Sequence, residues 1–446
     1  MSGIAELLIN LGFQVSGSDL RGTLVTERLR MLGATVWTGH SPEHVHAAEV
    51  VVVSAAVPPE NCEIDEAKRR RIPVIARAEM LAELMRLKFS VAVAGAHGKT
   101  TVTSMIALML THAGLDPTAV IGGRLDAFGS SARLGKGEIM VVEADESDRS
   151  FLMLLPSMAV VTNIDREHLD HYRGLEEIEA AFLSFMNKAP FYGAVITCTD
   201  SPWGERLRPL LPHLTRRLVT YGLENHAAVS AGEIELGERG STFQVSETGR
   251  RLGRFRLHVP GRHNVQNALA AVAVGLELGL APRQIRGGLE QFRGAERRFQ
   301  VKAEWDGVTV VDDYGHHPAE IRATLEAARM RHPARIWAVF QPHRFTRTEY
   351  LINDFGPAFQ GCKRVDVLDI YPAGETPIPG VTSRKLVERM RETGCPEARY
   401  APPDVDLVQE ILTTVRPGTL VLTIGAGSVG KLADSLAESL KSVTSS

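Results

Sequence analysis

Short apolar runs alternate with longer segments of helical spacing along most of this chain. Apolar runs of strand length, bounded by glycine or polar residues, are typical of strands buried in a parallel sheet. The segments between them carry apolar residues at helical intervals. The pattern therefore predicts an α/β fold, with its clearest strands at residues 139–142, 158–161, 194–197, 308–311, 335–340, 364–368 and 419–424.

Changes in this pattern divide the chain into predicted domains. The length of 446 residues is that of about three domains, and we place them at 1–88, 89–294 and 295–446. A β-rich part from 218 to 259 is followed by an alanine-rich helix that starts within 260–264 and ends near Gly279. The first domain is predicted to hold a buried parallel sheet and a closing helix, with strands at 13–15, 34–37, 50–53 and 72–75 and the helix at 79–88.

One glycine-rich segment follows a buried strand and precedes a helix. The strand covers residues 91–94, and Gly95, Gly98, Lys99 and Thr100 come after it in the pattern Gly-x-x-Gly-Lys-Thr. Such a turn directs backbone N–H groups at an anion, while the lysine suits phosphate and the hydroxyl suits Mg²⁺. The N-terminus of the helix adds a favourable dipole. The segment therefore predicts a nucleoside triphosphate site.

The alternative is that this segment is an ordinary turn between a strand and a helix. The general phosphate-binding loop has another glycine where this chain has Val93, and the shorter pattern also arises by chance. The helix that follows is predicted to stop near Gly114 and to bury one apolar face, formed by Val102, Met105, Ile106 and Met109.

Composition excludes several classes of protein. Hydrophobic residues make up 44% of the chain and charged residues 23%, as in a soluble globular protein. The net charge of −3 argues against a nucleic-acid-binding surface. The four cysteines form no Cys-x-x-Cys pair, and no apolar run is long enough to span a membrane. We therefore expect a cytoplasmic protein that binds neither nucleic acid nor membrane; a monomer and a dimer both remain open.

Polar clusters follow four further predicted strands. Each has an ordinary explanation: capping aspartates, surface histidines or exposed ion pairs of little energetic value. In open α/β sheets, however, ligands bind beyond the carboxyl ends of strands. Together with the phosphate loop, five clusters at this one kind of position favour a ligand-binding cleft; the four are residues 143–148, 162–171, 312–317 and 341–347.

These clusters offer distinct chemistry. Thr100, Glu143 and His168 supply oxygen and imidazole ligands for a divalent metal. Lys99 and Arg298 suit the charge that develops on a transferred phosphoryl group. Arg344 and Arg347 suit a carboxylate, because the guanidinium fork matches its two oxygens.

Two segments partly match a dinucleotide-binding unit. Residues 425–430 fit Gly-x-Gly-x-x-Gly, but residues 431–446 contain no further strand with an acidic residue. We expect local anion binding or tight helix–strand packing there. At the other end, residues 1–12 predict the first helix of such a unit, and Asp19 lies where an acid would recognise ribose or base. The strand and glycine loop that should precede this helix are absent from the sequence.

The motifs together resemble the Mur ligases of peptidoglycan synthesis, and the resemblance extends over essentially the whole chain. The N-terminal glycine loop of the family is missing; either the sequence begins downstream of the natural start, which we favour, or UDP binding is weak. The segments that carry the resemblance are 95–101, 143–148, 162–165 with 168–170, 260–267, 312–318 and 341–347.

The resemblance implies a three-domain architecture: a Rossmann-like N-terminal domain lacking its first strand, a central P-loop ATPase-like domain and a C-terminal Rossmann-like domain. It implies that the first domain binds the UDP of a sugar nucleotide, the second binds ATP, and the third closes over both and helps to bind an amino acid. The expected reaction joins L-alanine to the lactyl carboxylate of UDP-N-acetylmuramate through an acyl phosphate, with ATP and two Mg²⁺ ions, or Mn²⁺ in their place.

The resemblance also assigns roles to individual residues. The catalytic set is Lys99, Glu143, His168, Arg298, His316 and His343. The metal ligands are Thr100, Glu143 and His168. The contacts to ATP are Gly95, His97, Gly98, Lys99, Thr100, Thr101, Asn264, Asn267, Arg298 and Asp313. The substrate contacts are Ser18, Asp19, His40, Ser54, Tyr314, Arg344 and Arg347.

One position distinguishes the branches of the family. Other Mur branches carry a carbamylated lysine where this chain has Phe182, and its absence favours the alanine-adding branch.

Three other functions remain alternatives at this point. A related ligase that attaches a preformed tripeptide to the same sugar nucleotide is the nearest rival. A regulator that binds UDP-sugar and ATP without catalysis is the second, and a nicotinamide oxidoreductase is the third.

Overall fold

The computed structural model describes residues 1–54, 57–125, 130–165, 172–200, 202–224 and 227–444. It consists of two compact units. The first comprises residues 1–232, 245–253 and 266–291, and the second comprises residues 233–244, 254–265 and 292–446. Within the described ranges, no helix has both the length and the apolar character needed to cross a bilayer.

The helices and strands alternate along most of the chain, as the sequence pattern predicts. The α-helices are α1 Ser2–Asn10, α2 Leu24–Met31, α3 Cys62–Arg69, α4 Arg77–Arg86, α5 Lys99–His112, α6 Leu175–Met186, α7 Trp203–Leu210, α8 Arg262–Glu277, α9 Pro282–Leu289, α10 Pro318–Arg329, α11 Phe345–Tyr350, α12 Phe355–Ala358, α13 Ser383–Thr393, α14 Leu407–Thr414 and α15 Gly430–Thr444. Short 3₁₀ helices lie at Pro42–Val45, Ser150–Met153 and Leu211–His213.

The strands agree with the apolar runs. They are β1 Ser16–Asp19, β2 Thr35–Thr38, β3 Val51–Val53, β4 Val74–Ala76, β5 Phe89–Ala94, β6 Thr118–Leu125, β7 Ser130–Arg133, β8 Ile139–Glu143, β9 Met158–Val161, β10 Ala194–Cys198, β11 Leu218–Gly222, β12 Val229–Gly237, β13 Gly240–Glu247, β14 Arg250–Leu257, β15 Gln300–Trp305, β16 Val308–Asp313, β17 Arg335–Phe340, β18 Arg364–Val367, β19 Ala398–Tyr400 and β20 Thr419–Ile424. The predicted β-rich segment corresponds to β11–β14, and α8 ends shortly before Gly279 as expected.

In the first unit, seven strands lie in the order β11-β10-β9-β5-β8-β6-β7. All neighbouring pairs are parallel except β6 with β7. Strand β5 lies between β8 and β9, and Val93 pairs with both Glu143 and Val160. Because parallel strands end at the same edge, the phosphate loop after β5, Glu143 and the segment after β9 are brought together.

Helix α5 corrects one prediction from the sequence. The spacing of its apolar residues predicts one buried face, but every residue from Thr100 to Leu110 is buried. The helix therefore lies inside the first unit, with polar Thr103 and Ser104 completely inaccessible. A helix buried on all sides shows no clear separation of apolar and polar faces, which is why its spacing was misleading.

The second unit contains a six-stranded sheet in the order β15-β16-β20-β17-β18-β19. Only β15 is antiparallel to its neighbour. Alternate residues of β17 enter opposite cores: Ile336, Ala338 and Phe340 pack on one face, and Trp337 and Val339 pack on the other. This period of two is that of a strand covered on both faces. The central strands β16, β20 and β17 thus present their carboxyl ends at one edge.

Residues 1–88 correct another prediction. Instead of one buried sheet, two separate parallel pairs form, β1 with β2 and β3 with β4. Strand β1 also begins at Ser16, rather than at Phe13 as predicted, and Phe13 is 60% exposed.

Candidate functional site

The phosphate loop needs glycine at two positions. Gly95 has φ +140°, and a Cβ placed on it would lie 2.0 Å from Thr162 Oγ1. Gly98 has φ +82°, and its Cβ would lie 2.6 Å from Asn267 Oδ1. Both the backbone conformation and the close neighbours exclude larger residues. The loop predicted from the sequence is therefore a tight turn at the N-terminus of α5, and its conformation depends on these two glycines.

The segment after β9 holds this loop in place. The backbone N–H of His97 donates to Asn163 Oδ1 at 2.9 Å. The carbonyl of His97 accepts from Thr162 Oγ1 at 2.6 Å and from Asn163 Nδ2 at 3.1 Å. The His97 ring nitrogen Nε2 lies 3.4 Å from a carboxylate oxygen of Asp165. Two predicted clusters thus meet, because their strands are neighbours in the sheet.

Lys99 points back onto its own loop. Its ammonium lies 2.6 Å from the carbonyl oxygen of Gly95, 3.3 Å from that of Ala96 and 2.8 Å from Glu146 Oε1. Burial favours the neutral amine, but the negative charges of Glu146 and its acidic neighbours outweigh it and raise the Lys99 pKa. The side chain is therefore a charged, largely buried cation beside the loop.

The oxygen atoms of Thr100 and Glu143 form a pair at the same edge. The Thr100 hydroxyl donates to Glu143 Oε1 at 3.1 Å, and the other carboxylate oxygen accepts from the Gly122 N–H at 2.8 Å. Neutral and anionic oxygens beside a phosphate loop fit the preference of Mg²⁺ for hard ligands. Thr101 is buried one residue later. The third predicted ligand, His168, lies outside the described residues.

The two predicted asparagines of α8 have different surroundings. Asn267 Oδ1 faces Gly98 at the phosphate loop, and the residue is 9% exposed. Asn264 belongs to the second unit, where its side-chain amide donates to the Pro260 carbonyl at 2.7 Å. The structure therefore places Asn267 directly against the loop and gives Asn264 a role in closing the turn that begins α8.

In the second unit, Arg298 lies beside Tyr314 and Glu320. Its guanidinium carbon is 5.5 Å from the centre of the Tyr314 ring, and Nη1 is 3.4 Å from Glu320 Oε1. Asp313 is buried, and its oxygens accept from the N–H groups of Phe299 and Gly315, each at 2.7 Å. Its carboxylate therefore fixes the two backbone segments that carry Arg298 and Tyr314.

Two predicted histidines lie in an aromatic cluster with Tyr371. The His343 ring centre is 5.5 Å from that of His316 and 5.7 Å from that of Tyr371. Burial, reinforced by the positive charge of neighbouring groups, lowers the pKa of His343 to about 3. Arg347 Nη1 lies 3.3 Å from His343 Nδ1. Because arginine has no acceptor, Nδ1 must accept this bond.

His316 has the opposite arrangement. Its Nδ1 lies 3.1 Å from the Tyr314 carbonyl oxygen. A carbonyl only accepts, so this nitrogen donates, and in the neutral form of the ring the acceptor is Nε2. The two neighbouring imidazoles thus differ in tautomer, and only His316 presents its acceptor at Nε2.

Arg344 occupies a strained backbone position. It has φ +68° and ψ 140°, a region that residues other than glycine rarely adopt. Its N–H donates to the Tyr371 carbonyl at 2.8 Å, and Glu375 accepts from the following Phe345 N–H at 2.6 Å. The surrounding contacts hold this conformation at the start of α11. Strain of this kind gathers at functional sites, which supports the predicted role of Arg344.

The glycine loop at 425–430 packs closely against Gln341 and Arg297. A Cβ on Gly425 would meet the Gln341 carbonyl at 2.6 Å, and one on Gly427 would meet Gln341 Oε1 at 2.4 Å. Arg297 binds this loop through the carbonyls of Gly425 at 2.7 Å and Gly427 at 3.3 Å. Carbonyls directed at an arginine favour tight packing over the alternative of anion binding.

The predicted substrate residues near the N-terminus form a hydrogen-bonded group. Ser18 Oγ lies 2.9 Å from His40 Nδ1 and donates to Glu63 Oε2 at 2.7 Å. Glu63 also lies 2.7 Å from His44 Nδ1. Asp19, by contrast, is exposed, and its carboxylate accepts from the nearby Arg21 N–H at 3.1 Å. The remaining predicted residue, Ser54, lies just after β3 and is partly buried.

Comparison with known families decides the relationship. Residues 1–89 match the model described as Mur ligase family, catalytic domain, and residues 93–275 match the Mur ligase middle domain. Residues 297–427 match the Mur ligase, glutamate ligase domain. The chain belongs to the Mur ligase family. The resemblance found in the sequence motifs is therefore confirmed over most of the chain.

Similar relatives of this Mur ligase share a common name. UDP-N-acetylmuramate–L-alanine ligase of Solibacter usitatus is 52% identical over 442 residues, which cover 99% of this chain and 93% of that protein. The enzyme of the same name from Acidobacterium capsulatum is 53% identical, with 99% and 95% covered. The Thermotoga maritima UDP-N-acetylmuramate-alanine ligase structure has a TM-score of 0.81 at 28% identity, with 99% and 97% covered.

Several residues of this Mur ligase were not assigned from the sequence. Glu146 lies within an acidic run, and nothing there distinguishes it from its neighbours. Arg297 precedes Arg298 without any motif of its own, yet it holds both Asp312 and the 425–430 loop. Phe182 is 1% exposed and packs on Phe151 with ring centres 5.1 Å apart, so this position of α6 belongs to the core.

Proposed function

We propose that this Mur ligase uses ATP to join L-alanine to the lactyl carboxylate of UDP-N-acetylmuramate in peptidoglycan precursor synthesis. The names of relatives with more than half of their residues identical support this substrate pair. The observation that carries the ATP part is the loop at Gly95–Lys99, with the oxygen pair of Thr100 and Glu143 at its edge.

Two covalent steps connect these substrates. A lactyl carboxylate oxygen attacks the γ-phosphorus of ATP, the bond from phosphorus to the bridging oxygen breaks, and ADP leaves. The product is an acyl phosphate, whose carbonyl carbon is then attacked by the amine of L-alanine. A tetrahedral intermediate forms, the amine loses its proton, and phosphate departs to leave the amide. Domain closure would exclude water, which otherwise hydrolyses the acyl phosphate.

The phosphate loop supports the first step. We assign Lys99 to the charge that develops on the transferred phosphoryl group, and Arg298 remains a second proposed contact to ATP. Thr100 and Glu143 would hold Mg²⁺, which would neutralise phosphate charge when bound. His168 stays a proposed ligand of a second ion, while Asp313 stays a proposed contact to ribose.

The second unit supports carboxylate recognition and proton removal. Arg344 and Arg347 present guanidinium groups whose geometry suits a carboxylate. For the base that accepts the amine proton, we assign His316 rather than His343. The pKa of about 3 makes His343 too weak a base, and its Nδ1 is already an acceptor for Arg347. His316 instead has Nε2 as its acceptor.

A substrate-selection assay tests the proposed function. Phosphate release is measured with ATP, Mg²⁺ and UDP-N-acetylmuramate, with L-alanine, other amino acids or a preformed tripeptide added in turn. We expect phosphate release with L-alanine and the matching amide by mass spectrometry. Preference for the tripeptide would instead identify the related ligase that attaches a preformed tripeptide to the sugar nucleotide. Binding of UDP-sugar and ATP without L-alanine-dependent phosphate release would identify a regulator.

A further inference from the structure

Glu146 is the charged partner of the phosphate-loop lysine. One of its oxygens accepts from Lys99 Nζ at 2.8 Å, and its side chain is only 3% exposed. The other two acceptors of Lys99 are carbonyls of the loop itself, at Gly95 and Ala96. An ammonium has three N–H donors, so these three acceptors use its full capacity.

The position of Glu146 is fixed by the turn that carries it. The buried Tyr172 hydroxyl donates to the Glu146 carbonyl at 2.8 Å. The Arg149 N–H donates to the same carbonyl at 3.2 Å, and the Arg149 guanidinium lies 4.6 Å from the centre of the Tyr172 ring. The carboxylate is therefore held by a packed backbone, rather than by a side chain that swings freely in solvent.

This arrangement sets a condition for nucleotide binding. A phosphate oxygen can accept a hydrogen bond from Lys99 only if one of the three present acceptors loses its own hydrogen bond to the ammonium. The loop carbonyls are neutral and belong to the turn, whereas Glu146 carries a charge of the same sign as phosphate. Exchange of Glu146 for phosphate is thus the change that keeps the ammonium paired with an anion.

We propose that Glu146 is a positioning residue for Lys99, and that its carboxylate holds the ammonium against the loop until a nucleotide phosphate replaces it. This inference rests on the proposed ATP-dependent ligation. Glu146 competes with the bound phosphates for Lys99, so ground-state binding is weakened and more of the attraction of Lys99 is released as charge develops during phosphoryl transfer.

The decisive variant is Glu146→Gln, which keeps the size of the side chain and removes its charge. Lys99 would then bind phosphate in the ground state without competition from the Glu146 carboxylate. We expect ADP and a non-hydrolysable ATP analogue to bind about fivefold more tightly in titration calorimetry, while kcat falls about tenfold and the KM for ATP decreases. Glu146→Asp keeps the charge but shortens the side chain by one methylene, so its kcat should lie clearly between those of wild type and Glu146→Gln.

Asp148→Asn is the matched control, because Asp148 is exposed in the same acidic turn and accepts the Ser150 N–H. It should change nucleotide affinity less than twofold. In a Lys99→Met background, Glu146→Gln should also have less than a twofold effect, since the partner is gone. Equal effects of the two acidic substitutions, or an unchanged KM and kcat in Glu146→Gln, would overturn the inference.

Two further measurements separate this inference from other failures. Thermal unfolding of Glu146→Gln identifies a variant that fails to fold, in which case the kinetics of Glu146→Asp decide: activity equal to wild type with unchanged nucleotide affinity would refute the positioning role. If the wild-type chain binds no nucleotide or releases no phosphate with L-alanine, the proposed function itself fails. Normal wild-type turnover with no effect of Glu146 would reject only the positioning role.

Discussion

Two clusters place positive charge in different surroundings: the phosphate-loop cluster of Lys99 and Glu146, and the cluster of His343, Arg344 and Arg347. In the first, Lys99 is only 15% exposed at its side chain, and its ammonium is paired with Glu146 and two loop carbonyls. In the second, Arg344 and Arg347 are partly exposed beside a neutral His343, and Glu375 is 3.9 Å from the Arg344 guanidinium. The first cluster exchanges one anion for another on binding. In the proposed function, the guanidinium groups of the second cluster recognise a substrate carboxylate.

Removal of the Lys99 cation should have the largest effect. We expect Lys99→Met to lower L-alanine-dependent phosphate release by about 1000-fold, because no other side chain of the loop carries its charge to the phosphoryl group. The substitution also leaves Glu146 without its cationic partner, so thermal unfolding should occur at a lower temperature.

The control for this prediction is Lys385→Ala, which removes an exposed lysine of α13. It should retain wild-type activity. Full activity in Lys99→Met would contradict both the assigned role and the comparison between the two clusters.

Replacement of a guanidinium by an ammonium should have an intermediate effect. In Arg344→Lys and Arg347→Lys, the charge remains but the two-point match to a carboxylate is lost. We expect the KM for L-alanine or for UDP-N-acetylmuramate to rise about 30-fold, and the affinity for ADP to remain unchanged. Steady-state kinetics with each substrate varied in turn identify which carboxylate is affected.

Arg384→Lys is the corresponding control, because Arg384 lies over the Tyr400 ring in the same unit. It should leave both KM values unchanged. A loss of ADP affinity in Arg344→Lys or Arg347→Lys would show that this cluster serves the nucleotide instead.

The smallest predicted effect concerns the neutral histidine. The pKa of His343 is about 3 in the folded protein, below the ordinary value of 6.5. As the pH falls from 6.5 towards 3, the unfolded chain therefore binds a proton that the folded chain excludes, and folding stability decreases. Asparagine does not titrate in this range, so His343→Asn lacks this contribution. When the pH is lowered from 7 to 5, we expect the free energy of unfolding to fall by about 1 kcal/mol less in His343→Asn than in wild type, after allowance for partial exposure.

Urea unfolding at both pH values measures this difference. The exposed His332 supplies the control, His332→Asn, which should follow the wild-type pH dependence. Identical pH dependence in wild type and His343→Asn would mean that the His343 ring is protonated within the folded cluster, and the assignment of His316 as the base would lose its main support.

Local patterns allowed much of the fold to be predicted. Strands such as 158–161, 335–340 and 419–424 have the predicted bounds, because a buried parallel strand is a short apolar run whatever packs around it. Residues 1–88 were predicted less well. Their four short strands form two separate pairs, and the pairing of strands depends on which other strands are present rather than on their own composition.

The candidate site was predicted in its parts but not in its connections. The sequence identified Lys99, Thr100 and Glu143 from a motif and a strand end. It did not identify Glu146 as the partner of Lys99, because four acidic residues within 143–148 are equivalent as a sequence pattern. Their separation into buried and exposed positions depends on the turn pinned by Tyr172.

The sequence by itself determined the family, the α/β alternation and the chemical types of the candidate residues, since all three are carried by short motifs and local periodicity. The tertiary structure decided which groups meet: Lys99 with Glu146, Thr100 with Glu143, and His343 with Arg347. It also decided the tautomers of His316 and His343. These properties depend on distances between segments far apart in the chain, and burial at those contacts sets the charge of each group.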